Sequence, residues 1–406
     1  SIWTTPVNIK EGKISIFNEN FFSDLSNVYL EWQIQEEGVI TRQGVISSLN
    51  IQPQERQTLS LDYQITDNGK ETFLNLFYKL KDSESLLEAG HIVARQQLDI
   101  TTYNWNVGSS ITTEDQPEIY DTRYALEVST PTALICFNKK NGLLSGYSYK
   151  GNEFMEEGSF LKPNFWRAPT DNDFGARLPA KLGMWCEPLM ELNSFTSEMK
   201  NNTVEVKADY HLPECQADLM LIYRINAAGE IAITQSLSIK DTDKESFLPR
   251  FGMQITLCPG FNDIEFYGRG PIENYADRKL SAFIGKYNQK VNDQYYPYIR
   301  PQETGNKSDL RWFRLKHQNN NGFCLVSSKP FNASALHFST KDLDDSPAKK
   351  QRHGLEVPSR PTTILSVDLV QMGLGCIDTW GSLPMEKYLL KDNRYEFSFT
   401  IKPVNP

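Results

Sequence analysis

Hydrophobic and polar positions alternate along most of this chain with a period of two, the signature of half-buried strands. Val28, Leu30, Trp32 and Ile34 face one way while Tyr29, Glu31, Gln33 and Gln35 face the other. The pattern recurs at Leu59, Leu61, Tyr63 and Ile65, at Leu74, Leu76, Tyr78 and Leu80, and between Ile92 and Ile100. Six or seven short strands are thus predicted in the first hundred residues.

That count suits an immunoglobulin-like sandwich over residues 1–102. Residues 103–121, rich in Thr, Ser, Asn and acidic groups, lack the apolar surface for a layer of their own and read as a linker. Alternation resumes over 122–406, at Val204, Val206, Ala208 and Tyr210, at Leu219, Leu221, Tyr223 and Ile225, and at Ile231, Ile233, Leu237 and Ile239. The last two runs are joined across residues 226–230 as a hairpin. So long an antiparallel series predicts a large structure of two face-packed sheets. Helix is expected only after Pro179, in KLGMWCEPLMEL, with Pro188 interrupting it.

Composition narrows the partners. The net charge of -9 over 406 residues, without a Lys/Arg run, argues against nucleic acid and against an anionic membrane surface. No apolar stretch approaches the roughly 18 residues needed to span a bilayer, and SIWTTPVNIK has no signal-peptide pattern; the compartment stays open. Six scattered cysteines without a C-x-x-C pair indicate neither a zinc site nor a disulfide framework, and most are expected to be buried thiols. Aromatic content of 12% includes Trp166, Trp312, Trp380, Tyr267, Tyr295, Tyr296 and Tyr298 in polar, Gly/Pro-bearing stretches. Such rings suit sugar faces, or else the strand edges and cores that aromatics also favour.

Four segments combine Gly, Pro, aromatics and charge: NFWRAPTDND at 164–173, YGRGPIENYADRK at 267–279, YIRPQETGNKSDLRW at 298–312 and MGLGCIDTWG at 372–381. Rigid polar turns of this kind present directed hydrogen-bond partners, which polyhydroxylated ligands require.

In this order the segments resemble R-A-P-x-D-N-D, G-x-G-P-x-E-N-Y-x-D-R, Y-x-x-P-x-E-x-G and M-G-x-G-x-x-D-x-W of the C-terminal part of large family 2 glycoside hydrolases, the bacterial β-galactosidases. EAGHIVARQQ at 88–97 looks like the end of the preceding immunoglobulin-like domain. The resemblance covers essentially the whole chain. It implies an all-β fold, an immunoglobulin-like β-sandwich followed by a large antiparallel β-supersandwich of the galactose-mutarotase-like kind. It further implies that Trp380, with Asp378 before it, lends an apolar platform to the substrate pocket of a catalytic barrel N-terminal in the same polypeptide. Hydrolysis of terminal β-galactosides, homo-oligomers, and Mg²⁺ or Na⁺ in the complete enzyme, with no cofactor in this part, follow from the same resemblance. Cys376 and Ile377 stand where the family commonly has Gly-Asp or a similar pair, which alters the expected loop.

Arg167, Asp171 and Asp173 are read as a salt-bridged knot that stiffens the first segment. Arg269, Glu273, Asn274, Asp277, Arg278 and Glu303 are pocket or structural residues of the middle segments on the same reasoning. Retaining glycosidases need two carboxyls about 5 to 5.5 Å apart, and the family carries them on a (β/α)₈ barrel, whose strand-helix rhythm is missing here. Gly151-Asn152-Glu153 copies the family's acid/base tripeptide, but in a strand-turn-strand setting marked by Asn141-Gly142, so no catalytic residue is assigned. Two other readings stay open: a free-standing galactoside-binding module, and a mutarotase-like protein using a pair such as Glu273 with Asp277.

Overall fold

The computed structural model describes residues 2–105, 115–240, 247–345, 352–375, 377–378 and 380–404. They are strands for the most part, and the fold is all-β. Two compact units divide the chain, the first comprising Ser1–Trp105 with Phe283–Lys286, the second Asn106–Ala282 with Tyr287–Pro406.

In the first unit, Ile2–Asn8, Lys13–Asn18 and Arg56–Ser60 form one sheet. A second sheet runs in the order Val39–Ile46, Val28–Glu36, Thr72–Leu80, Ile92–Thr101. All pairings are antiparallel. The predicted alternation is realised: Leu30, Trp32 and Ile34 meet Leu74, Leu76 and Tyr78 in a core with Ile14 and Ile16. One strand is shorter than its pattern. After Ser60 the chain leaves the sheet, but Leu61 and Tyr63 stay buried because Leu61 N–H donates to Gly12 O (2.9 Å) and Tyr63 Oη to Ile9 O (2.7 Å). Gly12 is required there: its φ is +74° and a Cβ would lie 2.4 Å from Leu61 O.

The second unit holds a five-stranded sheet in the order Asn152–Glu153, Leu143–Tyr149, Ala133–Asn138, Ala125–Ser129, Glu118–Asp121. Glu118–Asp121 corrects the linker reading, since an edge strand needs only a neighbour's free backbone groups; residues 106–114 of that stretch lie outside the described residues. The main path of a twelve-stranded sheet runs from Lys162–Asn164 through Arg250–Leu257, Thr363–Gln371, Gly322–Leu336 and Arg394–Val404. It continues through Ile231–Ile239, Ala217–Ile225 and Thr203–Leu212 to Glu191–Lys200. Lys307–His317 pairs with both Gly322–Leu336 and Phe261–Gly270. Phe137, Tyr147, Phe154, Tyr223, Phe261 and Phe323 are central to the shared core.

Helix falls earlier than expected. It occupies Asp171–Gly175 and Leu178–Lys181, leaving a 3₁₀ turn at Gly183–Trp185, and a further α-helical turn that the sequence reading did not expect lies at Thr340–Leu343. Pro179 opens a helix rather than preceding one, as its fixed φ permits in the first turn. The thiols also differ from expectation: Cys215 is buried, but Cys186 is exposed and Cys136, Cys258 and Cys324 are half-buried. Cys376 lies outside the described residues.

Candidate functional site

The first segment leaves strand Lys162–Asn164 and ends in a short helix whose start is fixed by its own residues. Thr170 caps Asp171–Gly175 reciprocally: Asp173 N–H donates to Thr170 Oγ1 (3.2 Å) and Thr170 N–H to Asp173 Oδ2 (3.0 Å). Asp173 also receives both arms of Arg167, Nε at 3.0 Å and Nη2 at 2.8 Å. The same guanidinium reaches the fourth segment, Nη1 donating to Met372 O (2.7 Å) and Nη2 to Gly373 O (3.0 Å). Burial works to lower the Arg167 guanidinium pKa, but Asp173 beside it holds it above its usual value. Asn172 Nδ2 adds a bond to Leu374 O (2.8 Å).

Asp171 does not join this knot. It is at the first helical position and points outward to Arg300 Nη1, 2.7 Å away. Two positions along the helix turn a carboxylate to a different face, so adjacent acids in sequence serve different partners.

A second buried arginine, which sequence reading missed, ties the first segment to the third. Arg250 donates from Nη1 to Trp166 O (3.2 Å) and from Nη2 to Glu303 Oε1 (3.0 Å). Its Nε lies 3.3 Å from Asp368 Oδ2 without the alignment of a hydrogen bond. Asp368 is fully enclosed; burial pushes its carboxyl up to about 7, against the pull of Arg250 and with Glu303 adding to the rise. A lone Arg in LPRFGM and a lone Asp in ILSVDLV, each inside an apolar run, were the available signal.

The middle segments make a second network. Glu273 accepts from Arg278 Nη2 (2.6 Å), Tyr298 Oη, Thr304 Oγ1 (3.0 Å) and the Gly305 amide (2.8 Å). Asn274 is buried and bonded throughout: Nδ2 to Arg269 O and Ile272 O, each 3.0 Å, and Oδ1 from the Ser308 amide at 2.9 Å. Arg269 and Lys279 both pair with Asp309, so the expected knot is split between two acids. Among the described residues Asp277 pairs with no arginine; its Oδ2 accepts the Gly375 amide (3.0 Å). Glu273 is therefore bound into the third segment while Asp277 serves the fourth.

Met372–Gly373 is thus gripped by Arg167, and Gly375 by Asp277, at the base of the 372–381 loop. A Cβ on Gly373 would come within 2.5 Å of Asp277 Oδ2. At the tip, Asp378 Oδ1 accepts the Trp380 amide (2.8 Å) and Oδ2 accepts Ser382 Oγ (2.7 Å). The Ser382 hydroxyl, then the Trp380 amide, lower the Asp378 carboxyl pKa. The Trp380 side chain is 90% exposed. The other aromatics divide: Tyr296 is exposed, while Trp166 and Tyr267 are buried.

The carboxylates of these segments are committed to partners: Asp173 to Arg167, Asp171 to Arg300, Glu273 to Arg278, Glu303 to Arg250, and Asp378 to its own loop. Glu153 lies in the edge pairing with Ser148, as its strand-turn-strand setting foretold. Among the described residues no group of three or more His, Cys, Asp or Glu side chains is placed to hold a metal ion, and no helix is long and apolar enough to cross a membrane.

Comparison with known proteins matches this framework. The family model described as β-galactosidase small chain matches residues 130–401, and that described as β-galactosidase, domain 4, matches residues 14–101. A β-galactosidase of Priestia megaterium is 30% identical over 99% of this chain and 38% of its own length. One from Lactobacillus delbrueckii subsp. bulgaricus is 28% identical over 92% of this chain and 36% of its own. This chain therefore spans under two-fifths of the length of these relatives. A solved Salmonella typhimurium protein, provisionally named a mutarotase, aligns over 72% of this chain and 94% of its own at a TM-score of 0.39 and 11% identity, which adds nothing to the sheet order above. With the small-chain model covering well over half of its residues, and the domain-4 model preceding it, the chain belongs to the β-galactosidase small-chain family.

Proposed function

We propose that this chain is the C-terminal, non-catalytic part of a β-galactosidase that hydrolyses terminal non-reducing β-D-galactose residues with retention. The acid/base and nucleophile carboxylates then lie on a barrel earlier in the same polypeptide, as does any Mg²⁺ or Na⁺ site. Trp380 completes the galactoside pocket, Asp378 sets its loop, and the sheets support a homo-oligomer. One observation carries the reading: a tryptophan 90% exposed at the end of a loop whose base is clamped by a buried arginine. An indole held out on so anchored a loop is free to stack on the apolar face of a sugar.

The isolated chain should give no turnover of a chromogenic β-galactoside, and mixing with the missing portion should restore some. In the complete enzyme, Trp380→Ala removes a contact worth about 1.5–3 kcal/mol, a loss of roughly ten- to a hundred-fold in kcat/KM. Turnover by the isolated chain would overturn the division of labour. Saturable galactose binding at Trp380 in the isolated chain would instead favour a free-standing module.

A further inference from the structure

Beyond the Arg167 clamp, on the way to the exposed Trp380, the 372–381 loop is held at one more point, a single peptide unit. Its carbonyl, that of Leu374, accepts from Asn172 Nδ2 (2.8 Å), and its amide, that of Gly375, donates to Asp277 Oδ2 (3.0 Å). A peptide unit is planar, and its C=O and N–H project from opposite edges. Holding both fixes the tilt of the plane and the direction in which the chain leaves it.

The two holders stand on separate rigid supports. Asn172 is in the capped helix Asp171–Gly175. Asp277 is in a tight turn closed by reciprocal backbone bonds, Tyr275 N–H to Arg278 O (3.1 Å) and Arg278 N–H to Tyr275 O (2.8 Å). Glycine lets both side chains come this close: Gly375 has a φ of +96°, and a Cβ there would lie 3.0 Å from Asn172 Nδ2. The loop also returns past the same helix, where a Cβ on Gly381 would lie 3.3 Å from Gly175 O. Entry and exit of the segment that carries Trp380 are thus referenced to one helix. Asp277 Oδ1 is buried with no hydrogen-bond partner among the described residues, which is destabilising. A carboxylate kept at such a cost is better explained by the loop it holds than by folding.

We propose that Asn172 and Asp277 are positioning residues that aim Trp380 by fixing the Leu374–Gly375 peptide. The proposal rests on the pocket role given to Trp380, and neither residue need touch the substrate.

The test is a mutant cycle in the complete enzyme, with kcat, KM and urea midpoints measured for Asn172→Ala, Asp277→Ala, Asp277→Asn and Trp380→Ala, and for each of the first two combined with Trp380→Ala. Asn172→Ala and Asp277→Ala should each lower kcat/KM by about three- to tenfold, with the same split between KM and kcat as Trp380→Ala. Asp277→Asn keeps an oxygen for the Gly375 amide and should recover most of the loss. In the Trp380→Ala background neither alanine should lower activity further, because both act through that ring. Losses that persist undiminished without Trp380, or that follow the urea midpoint and are not recovered by Asp277→Asn, overturn the proposal. So does an impaired Trp380→Ala beside wild-type Asn172→Ala and Asp277→Ala, whereas wild-type activity in Trp380→Ala overturns the role of Trp380 itself and this proposal with it.

Discussion

At the base of the 372–381 loop, Arg167 is 2% exposed and makes four hydrogen bonds, two to a carboxylate and two to carbonyls. At its tip, Trp380 is 90% exposed and positioned through its backbone by Asp378. The polar residue is buried and the apolar one is out in water, the reverse of the usual partition. The base can bury a charge because every arm of the guanidinium is matched, and that rigid anchor lets the tip hold an aromatic ring away from the core. Changes at the base should therefore register in folding, and changes at the tip in function.

Arg167→Met is the sharpest way to break this contrast. It strands Asp173 in a buried site and should lower unfolding stability by about 3–5 kcal/mol, read from urea denaturation; an unchanged midpoint would mean the clamp is dispensable. Lys307 sharpens the comparison from the other side, as a buried cation with poor pairing. Its ammonium donates only a 3.3 Å bond to Gly305 O among the described residues, and burial lowers its pKa to about 8, with Glu273 opposing. Below pH 8 the group is charged in both folded and unfolded states and the burial penalty is complete. Between pH 8 and the ordinary value of 10.5 the unfolded chain holds more protons, so stability should rise with pH there. Lys307→Met should gain on the order of 3 kcal/mol at pH 7 and remove that rise.

Thr170→Ala removes one side of the capping box and should cost about 1 kcal/mol, a smaller loss at the same base. Trp380→Ala should leave the urea midpoint within about 0.5 kcal/mol of wild type while impairing the complete enzyme. A large loss of stability in that variant would erase the distinction between base and tip.

Much of this arrangement was legible. The alternation placed Val28–Glu36 and Thr203–Leu212 as strands, and Asn141-Gly142 marked the turn between Ala133–Asn138 and Leu143–Tyr149. What was missed follows a pattern. Asp171 and Asp173 looked equivalent, yet the helix phase sends one to Arg300 and the other to Arg167. Arg250 and Asp368 sat unnoticed inside apolar strands, and the bonds of Arg250 to Glu303 and Trp166 span residues far apart in the chain. Glu118–Asp121 looked like linker because an edge strand owes its existence to its neighbour.

By itself, then, the order of residues determined the all-β character, the hairpins and the location of the four Gly/Pro-bearing segments, because side-chain period and turn chemistry are properties of adjacent residues. Only the tertiary structure decided which arginine meets which acid, which aromatics are buried and which face water, because those outcomes depend on long-range strand pairing and on desolvation, neither of which any short stretch encodes.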